Sequence, residues 1–252
     1  MNSEQRPWLV RKPAILITLG AIAAAAFVFL MWPAIDLAVA AAMWRLHAVS
    51  ALRAIGAAEP PDMAAFIKLF AGLFVVVSLF VLLRRPLRVD RMRALLFILA
   101  TFAIGPGLIV NVLLKDHWGR PRPIQIVEFG GSASFVPALE MSRQCERNCS
   151  FVSGDVSAAL SFLAVALLVP ARRRGWALAG TALMAGGIGF ARMVAGAHFL
   201  SDVLFAGLFT LLVVQICYRL IMPRVTVGEA QVPAFRSTPA PAIDDARPGQ
   251  GP

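Results

Sequence analysis

Six apolar runs, each near the twenty residues a helix needs to cross a bilayer, constrain this chain more than any other feature. They lie at about residues 14–32, 63–83, 93–114, 156–170, 175–196 and 199–222. Hydrocarbon offers backbone groups no water, so a spanning segment must satisfy its own hydrogen bonds, and a helix does so within one segment. The expected fold is all-α: a polytopic membrane protein of six transmembrane helices. Composition agrees, with 59% hydrophobic and 15% charged residues over 252 positions, where a soluble domain carries about a quarter charged residues. The first run lacks a small-x-small cleavage site before Pro33 and reads as a retained span. The fourth run is short and extends, on one reading, back through Ser153. This divides the chain into a cytoplasmic N-terminus (1–13), a membrane domain (14–222) and a Pro- and Ala-rich disordered cytoplasmic tail (223–252).

The net charge of +10 does not point to nucleic acid, because the arginines cluster in short loops between spans. Arg6, Arg11 and Lys12 precede the first run. Arg84, Arg85, Arg88, Arg91 and Arg93 sit between the second and third, and Arg172, Arg173 and Arg174 between the fourth and fifth. All fall on one side of a six-span layout, and the positive-inside rule makes that side the cytoplasm. The opposite side holds the loops 33–62 and 115–152 and the turn near His198. In 33–62, Ile35, Leu37, Trp44, Leu46, Val49, Leu52 and Ile55 recur at near-helical spacing. An interfacial amphipathic helix on the outer face is expected, with a re-entrant or extra span as the alternative.

Cys145 and Cys149 lie in the outer loop as Cys-Glu-Arg-Asn-Cys, and an oxidising outer compartment would join them in a disulfide that stiffens the approach to Ser153-Gly154. No second Cys/His pair stands nearby at ligand spacing, so no metal is expected. Cys217, inside the last run, reads as a small core hydrophobe.

Three short polar stretches interrupt the apolar pattern, all on the outer side: Lys115-x6-Arg122-Pro123, Phe151-Val152-Ser153-Gly154-Asp155 and Arg192-x5-His198-x3-Asp202. Ionisable groups beside spans are costly and tend to mark function. His198 and Asp202, four apart, would share a helix face, the carboxylate binding one imidazole nitrogen and leaving the other as nucleophile or base. A polar pair that merely packs two spans is the plainer alternative. Lys115 and Arg122 flank a turn that brings two cations together, suited to an oxyanion; a snorkelling Lys115 beside an interfacial Trp118 accounts for part of this, but not for Arg120-Pro121-Arg122-Pro123. Ser153-Gly154 at a helix start offers N–H groups to an anion, or a simple Ser cap.

In this order the stretches resemble the signature of the type 2 phosphatidic acid phosphatase superfamily, K-x6-R-P, P-S-G-H and S-R-x5-H-x3-D. The resemblance covers about residues 60–222 and the six-span layout. It implies an integral-membrane lipid phosphatase that cleaves a phosphomonoester or pyrophosphate from a lipid head group without metal or other cofactor. Lys115, Arg122, Ser153, Gly154 and Arg192 would hold the phosphate, His198 would attack phosphorus to form a phosphohistidine, and Asp202 would orient His198. The chain departs from the pattern at Val152 (for Pro), Ala191 (for Ser) and Asp155, which stands where the family has its proton-donating His. As general acid Asp155 must be protonated when it acts; His117 is the alternative acid. A similar Asn-Cys-Ser-Phe-Val-Ser-Gly-acid context resembles a bacterial subgroup that includes lipid A 1-phosphatase-like enzymes. Expected are a lipid phosphate as partner, an inner-membrane location and a site facing the periplasm. A phosphate-binding relative without activity and a lipid transporter are the rival readings, though no internal repeat of the transporter kind is found. The particular lipid and the oligomeric state are not written in the sequence.

Overall fold

The computed structural model of the protein describes residues 7–47 and 89–222. The predicted span at 63–83, the arginines 84, 85 and 88, the remainder of the 33–62 loop and the tail from 223 lie outside those residues. The described residues are helical, with short 3-10 turns, one isolated bridge between Ile126 and Ala133, and no strand.

Helix α1 (Lys12–Met31) starts with Pro13 in its first turn, where a missing N–H costs nothing. It is apolar all round, as a lipid-facing helix is. Among the described residues its buried positions are Ala14, Thr18 and Phe29. After the Trp32-Pro33 turn, α2 (Ala34–His47) packs back against the last two long helices. Helix α3 (Val89–Leu114) is α-helical to Phe102 and π-wound from Ala103. Pro106 lies in the wide part; a proline removes one backbone donor and crowds the preceding turn, and a wider winding relieves both. The predicted start at 93 thus moves back to 89.

The predicted fourth span differs most. It consists of two short helices, α4 (Gly154–Ser161) and α5 (Leu163–Leu168), interrupted at Phe162. Pro170 then forces Val169 into an extended conformation and opens α6 (Ala171–Val194). Helix α7 (Leu200–Ile221) follows. Four described helices, α1, α3, α6 and α7, are long and apolar enough to cross a membrane, whereas Gly154–Leu168 is a shorter apolar pair.

Among the described residues, the two larger of three apolar clusters hold the long helices together. One, around Val10, Phe97, Leu167, Val214 and Tyr218, ties the start of α1 to α3, α5 and the end of α7. There Gln215 donates to the Leu9 carbonyl and to Thr18 Oγ1, both at 3.0 Å. The other, around Phe29, Val110, Phe151, Val156 and Phe205, fills the opposite half. Ser157 and Thr210 share a hydrogen bond of 2.7 Å between α4 and α7. The second cluster is the floor on which the polar stretches rest.

Candidate functional site

The site forms where the C-terminal ends of α3 and α6 meet the N-terminal ends of α4 and α7. The 115–153 connection lies over these ends and is irregular but firmly tied. Trp118 stacks on Phe151, ring centroids 4.8 Å apart, and its Nε1 donates to the Ala138 carbonyl at 2.8 Å. Gly119, at φ +68°, turns the chain so closely on Ser142 that a Cβ would stand 1.8 Å from that residue's carbonyl oxygen; only glycine fits.

The Arg192-to-His198 spacing has a local cause. Helix α6 ends in a Schellman motif: Gly196, at φ +66°, donates to the Met193 carbonyl at 3.0 Å, and Ala197 to the Arg192 carbonyl at 3.0 Å. His198 follows outside any helix, Phe199 is the N-cap of α7, and Asp202 is the third helical residue. The expectation that His198 and Asp202 share a helix face is therefore corrected. The carboxylate turns back to cap its own helix, accepting from Phe199 N–H at 2.7 Å, and Asp202 Oδ2 stands 3.7 Å from His198 Nδ1, too far for a hydrogen bond. His198 Nδ1 instead lies 2.8 Å from the Ser150 carbonyl oxygen. A carbonyl only accepts, so Nδ1 carries the hydrogen and the lone pair of the neutral ring is on Nε2. Ser150 also donates its hydroxyl to Asp202 Oδ2, locking the three residues together.

His198 Nε2 and Ser153 Oγ are buried without a hydrogen-bond partner among the described residues. Buried polar atoms are rarely left so, and exceptions ask for a functional reason. Burial, above all, pushes the His198 pKa below the ordinary 6.5, with the charges of Lys115 and Arg122 acting the same way and Asp202 opposing. The neutral, nucleophilic ring is the form the site favours.

The predicted anion-binding residues gather here. A Cβ on Gly154 would lie 3.3 Å from Lys115 Nζ and 3.5 Å from Asn111 Oδ1, so the missing side chain lets the cation reach the start of α4. Lys115 Nζ donates to Asn148 Oδ1 at 3.0 Å, and Arg122 Nη2 to the Asn148 carbonyl at 3.1 Å. Asn148 adopts φ +52° within the loop closed by the Cys145–Cys149 disulfide, whose Cα atoms are 5.7 Å apart. Ser153 caps α4, its N–H reaching the Asp202 carbonyl at 3.2 Å. Arg192 Nε is 3.0 Å from Asp155 Oδ2. His117 is exposed, with Nδ1 3.0 Å from the Val112 carbonyl oxygen, one turn of the π-helix away.

Sequence reasoning missed the group beneath. Arg120 is fully buried. It donates to Asp202 Oδ1 at 2.6 Å, to Asp36 Oδ2 at 2.8 Å, to Ser201 Oγ at 2.8 Å and to the Val136 carbonyl at 2.8 Å. The guanidinium lies 4.3 Å from the Phe199 ring centroid, a cation–π contact. The signals were present in part: Arg120 in a Pro-interrupted basic turn, and Asp36 as a lone acid in an apolar stretch. Ser150, Ser201 and Asn148 carried none. Among the described residues, no three His, Cys, Asp or Glu side chains come together as metal ligands.

Comparison with known proteins converges on this part of the chain. Residues 92–225 match the model of the PAP2 superfamily. A lipid A 4′-phosphatase of Francisella tularensis subsp. novicida is 38% identical over 157 residues, 62% of this chain and 69% of that protein. Lipid A 4′-phosphatases of Rhizobium leguminosarum and Rhizobium etli are 43% and 42% identical over 124 residues, 49% of this chain in both cases. The alignments span about half of each rhizobial protein, 53% and 48%. These relatives are named for the 4′ position, where the sequence context had suggested 1-phosphatases. No solved structure matches.

Proposed function

The chain belongs to the PAP2 superfamily and is a membrane lipid phosphatase, and from that premise we propose that it hydrolyses a phosphomonoester on the sugar head group of a lipid A-type lipid through a phosphohistidine at His198. The observation that carries this reading is the state of His198: Nδ1–H held by the Ser150 carbonyl, Nε2 buried and without a partner among the described residues. Buried side-chain nitrogens that serve only packing are in the large majority hydrogen-bonded.

In the proposed reaction Lys115, Arg122 and Arg192 bind the phosphoryl oxygens with Ser153 and the Gly154 N–H, a preorganised set of donors that works without metal. Nε2 attacks phosphorus, the N–P bond forms and the P–O bond to the sugar breaks. Asp155 gives its proton to the leaving oxygen. It sits against Arg192, so a bound phosphate competes for that cation and frees the carboxyl to face the leaving oxygen. Water then attacks phosphorus, returns a proton to Asp155 and releases phosphate and His198 Nε2.

The proposed membrane arrangement has six spans, α2 on the outer surface and the site facing the periplasm from the inner membrane. Arg11, Lys12 and Arg172–Arg174 begin α1 and α6 at the end away from the site. Cations at a helix start oppose the helix dipole, so orientation rather than helix stability accounts for them. A Cys145–Cys149 disulfide suits an oxidising compartment.

The test is phosphate release from 4′-phosphorylated lipid A by purified protein in detergent, with rapid acid- and base-quench after adding labelled substrate. Wild type should turn over and hold base-stable, acid-labile label. His198→Ala should lose both, by at least about a thousandfold in rate. Undiminished turnover in that variant would sink the phosphohistidine mechanism. A wild type that binds but releases no phosphate from any lipid phosphate would leave a binding protein in place of the enzyme.

A further inference from the structure

The group beneath His198 holds more charge than capping or packing requires. Arg120 brings one positive charge, Asp36 and Asp202 one negative charge each, and all three are buried. Asp36 is held as a carboxylate. Its Oδ1 accepts from the Ser201 N–H at 2.9 Å, and its Oδ2 accepts from Arg120 and from the Ser201 hydroxyl. That hydroxyl itself accepts from Arg120 Nη1 at 2.8 Å, so it turns its own proton towards Asp36. Burial, above all, and the Asp202 charge raise the Asp36 pKa above the ordinary carboxylate value against the pull of Arg120 and the Ser201 hydroxyl; the donors on both oxygens are the set that a carboxylate accepts from.

With His198 neutral, this group carries one net negative charge. Phosphorylation at Nε2 with the hydrogen kept on Nδ1 makes the ring cationic, and the group then sums to zero. Without Asp36 the single charge of Asp202 would be shared between Arg120 and the cationic ring. We propose that Asp36 is a positioning residue that takes up the charge of Arg120 and so leaves the charge of Asp202 for the phosphorylated His198. The proposal rests on the phosphohistidine reading given above. It assigns α2, which carries none of the three polar stretches, a part in the chemical step, transmitted over 2.8 Å and 2.6 Å contacts through one guanidinium. Buried ion pairs give little net stability compared with apolar packing, so stability is a weak reason for this arrangement.

The charged groups around His198 are Asp202 at 3.7 Å, Lys115 and Arg122 across the site, the Asp155–Arg192 pair on α4 and α6, and Arg120 with Asp36 behind Asp202. The experiment compares Asp36→Asn, Arg120→Gln, the double variant and Ser201→Ala. It reads phosphoenzyme formation in a single turnover and the acid limb of kcat/KM against pH. Removing the negative charge of Asp36 should slow phosphoenzyme formation about tenfold or more and move the acid limb to lower pH, with KM little changed. Removing the positive charge of Arg120 should move the limb to higher pH, and the double variant should bring it back to the wild-type position. Ser201→Ala, which removes a hydrogen bond but no charge, should leave the limb in place. A purely structural role lowers yield and melting temperature without displacements of opposite sign. The proposal is overturned if both single variants move the limb the same way or not at all, or if Asp36→Asn forms the phosphoenzyme within twofold of the wild-type rate. Should Asp36→Asn not fold, the direction of the Arg120→Gln shift and its reversal in the charge-balanced double variant decide. Failure of the phosphohistidine reading looks different: wild type would then show no acid-labile label and His198→Ala would keep its turnover.

Discussion

Replacing Asp202 by Asn separates charge from shape at the centre of the site. Asp202 Oδ1 accepts from Arg120 Nη1 at 2.6 Å, and Oδ2 accepts from the Phe199 N–H at 2.7 Å and from the Ser150 hydroxyl. An asparagine has one acceptor and one donor there. With its NH2 in the Oδ1 position it faces the guanidinium; with its NH2 in the Oδ2 position it faces the Phe199 N–H. Either flip sets two donors head to head, and in both Arg120 keeps Asp36 as its one carboxylate partner in this group. Leaving a buried donor without its acceptor costs about 1–3 kcal/mol, which for a protein of this size lowers the melting temperature by about 5 °C. The catalytic effect is separable. The Ser150 carbonyl, not Asp202, fixes the His198 tautomer, so Asp202→Asn leaves the nucleophile correctly protonated. What disappears is a charge 3.7 Å from the ring that becomes cationic. Near 4 Å with an effective dielectric of 20 such a pair is worth about 4 kcal/mol, or about a thousandfold in kcat at one decade per 1.4 kcal/mol. KM should hardly move, since Asp202 faces Arg120 and Phe199 rather than the phosphate-binding cations. The assay is kcat and KM for lipid phosphate in detergent, measured well below the variant's melting temperature. A folded variant that loses less than tenfold in kcat would refute the reasoning, because the Ser150 carbonyl alone would then suffice to prepare His198.

Three further outcomes are expected. Asp155→Asn should lose about a hundredfold or more on a lipid phosphate but far less on p-nitrophenyl phosphate, whose leaving group needs no acid, while His117→Ala keeps most of its activity; equal losses on both substrates would remove Asp155 from the acid role. The acid limb of kcat/KM should lie below 6.5, because burial, Lys115 and Arg122 depress the His198 pKa and activity fails only when the ring takes up a proton as pH falls through that lowered value; a limb above 6.5 would contradict the assignment. Cys145→Ser should loosen Asn148, which accepts from Lys115 and Arg122, raising KM about three- to tenfold with little change in kcat, and reductant should reproduce the effect in wild type but not in the variant.

What the sequence could tell was set by how local each cause is. The long apolar runs were legible because a bilayer demands one length and one hydrogen-bonding solution; the described residues bear this out at α1, α3, α6 and α7. The break at Phe162 and the π-winding after Phe102 were not, since both are settled by packing among helices rather than by periodicity. The His198–Asp202 geometry was misread although its signals were local. Gly196 is a helix-stop residue and Asp202 stands three places after the N-cap Phe199, a stop followed by a start. Asp36 and Arg120 are different in kind. They are 84 positions apart, and each alone was only an expensive residue in an apolar setting. Their cost is the part of the sequence that could be read, and their pairing is the part that needed the fold. In a membrane protein the polar residues that no motif absorbs are therefore worth pairing first. A buried charge there must be matched by another, and the charge that matches it can stand, as Asp36 does, on an element that no motif touches.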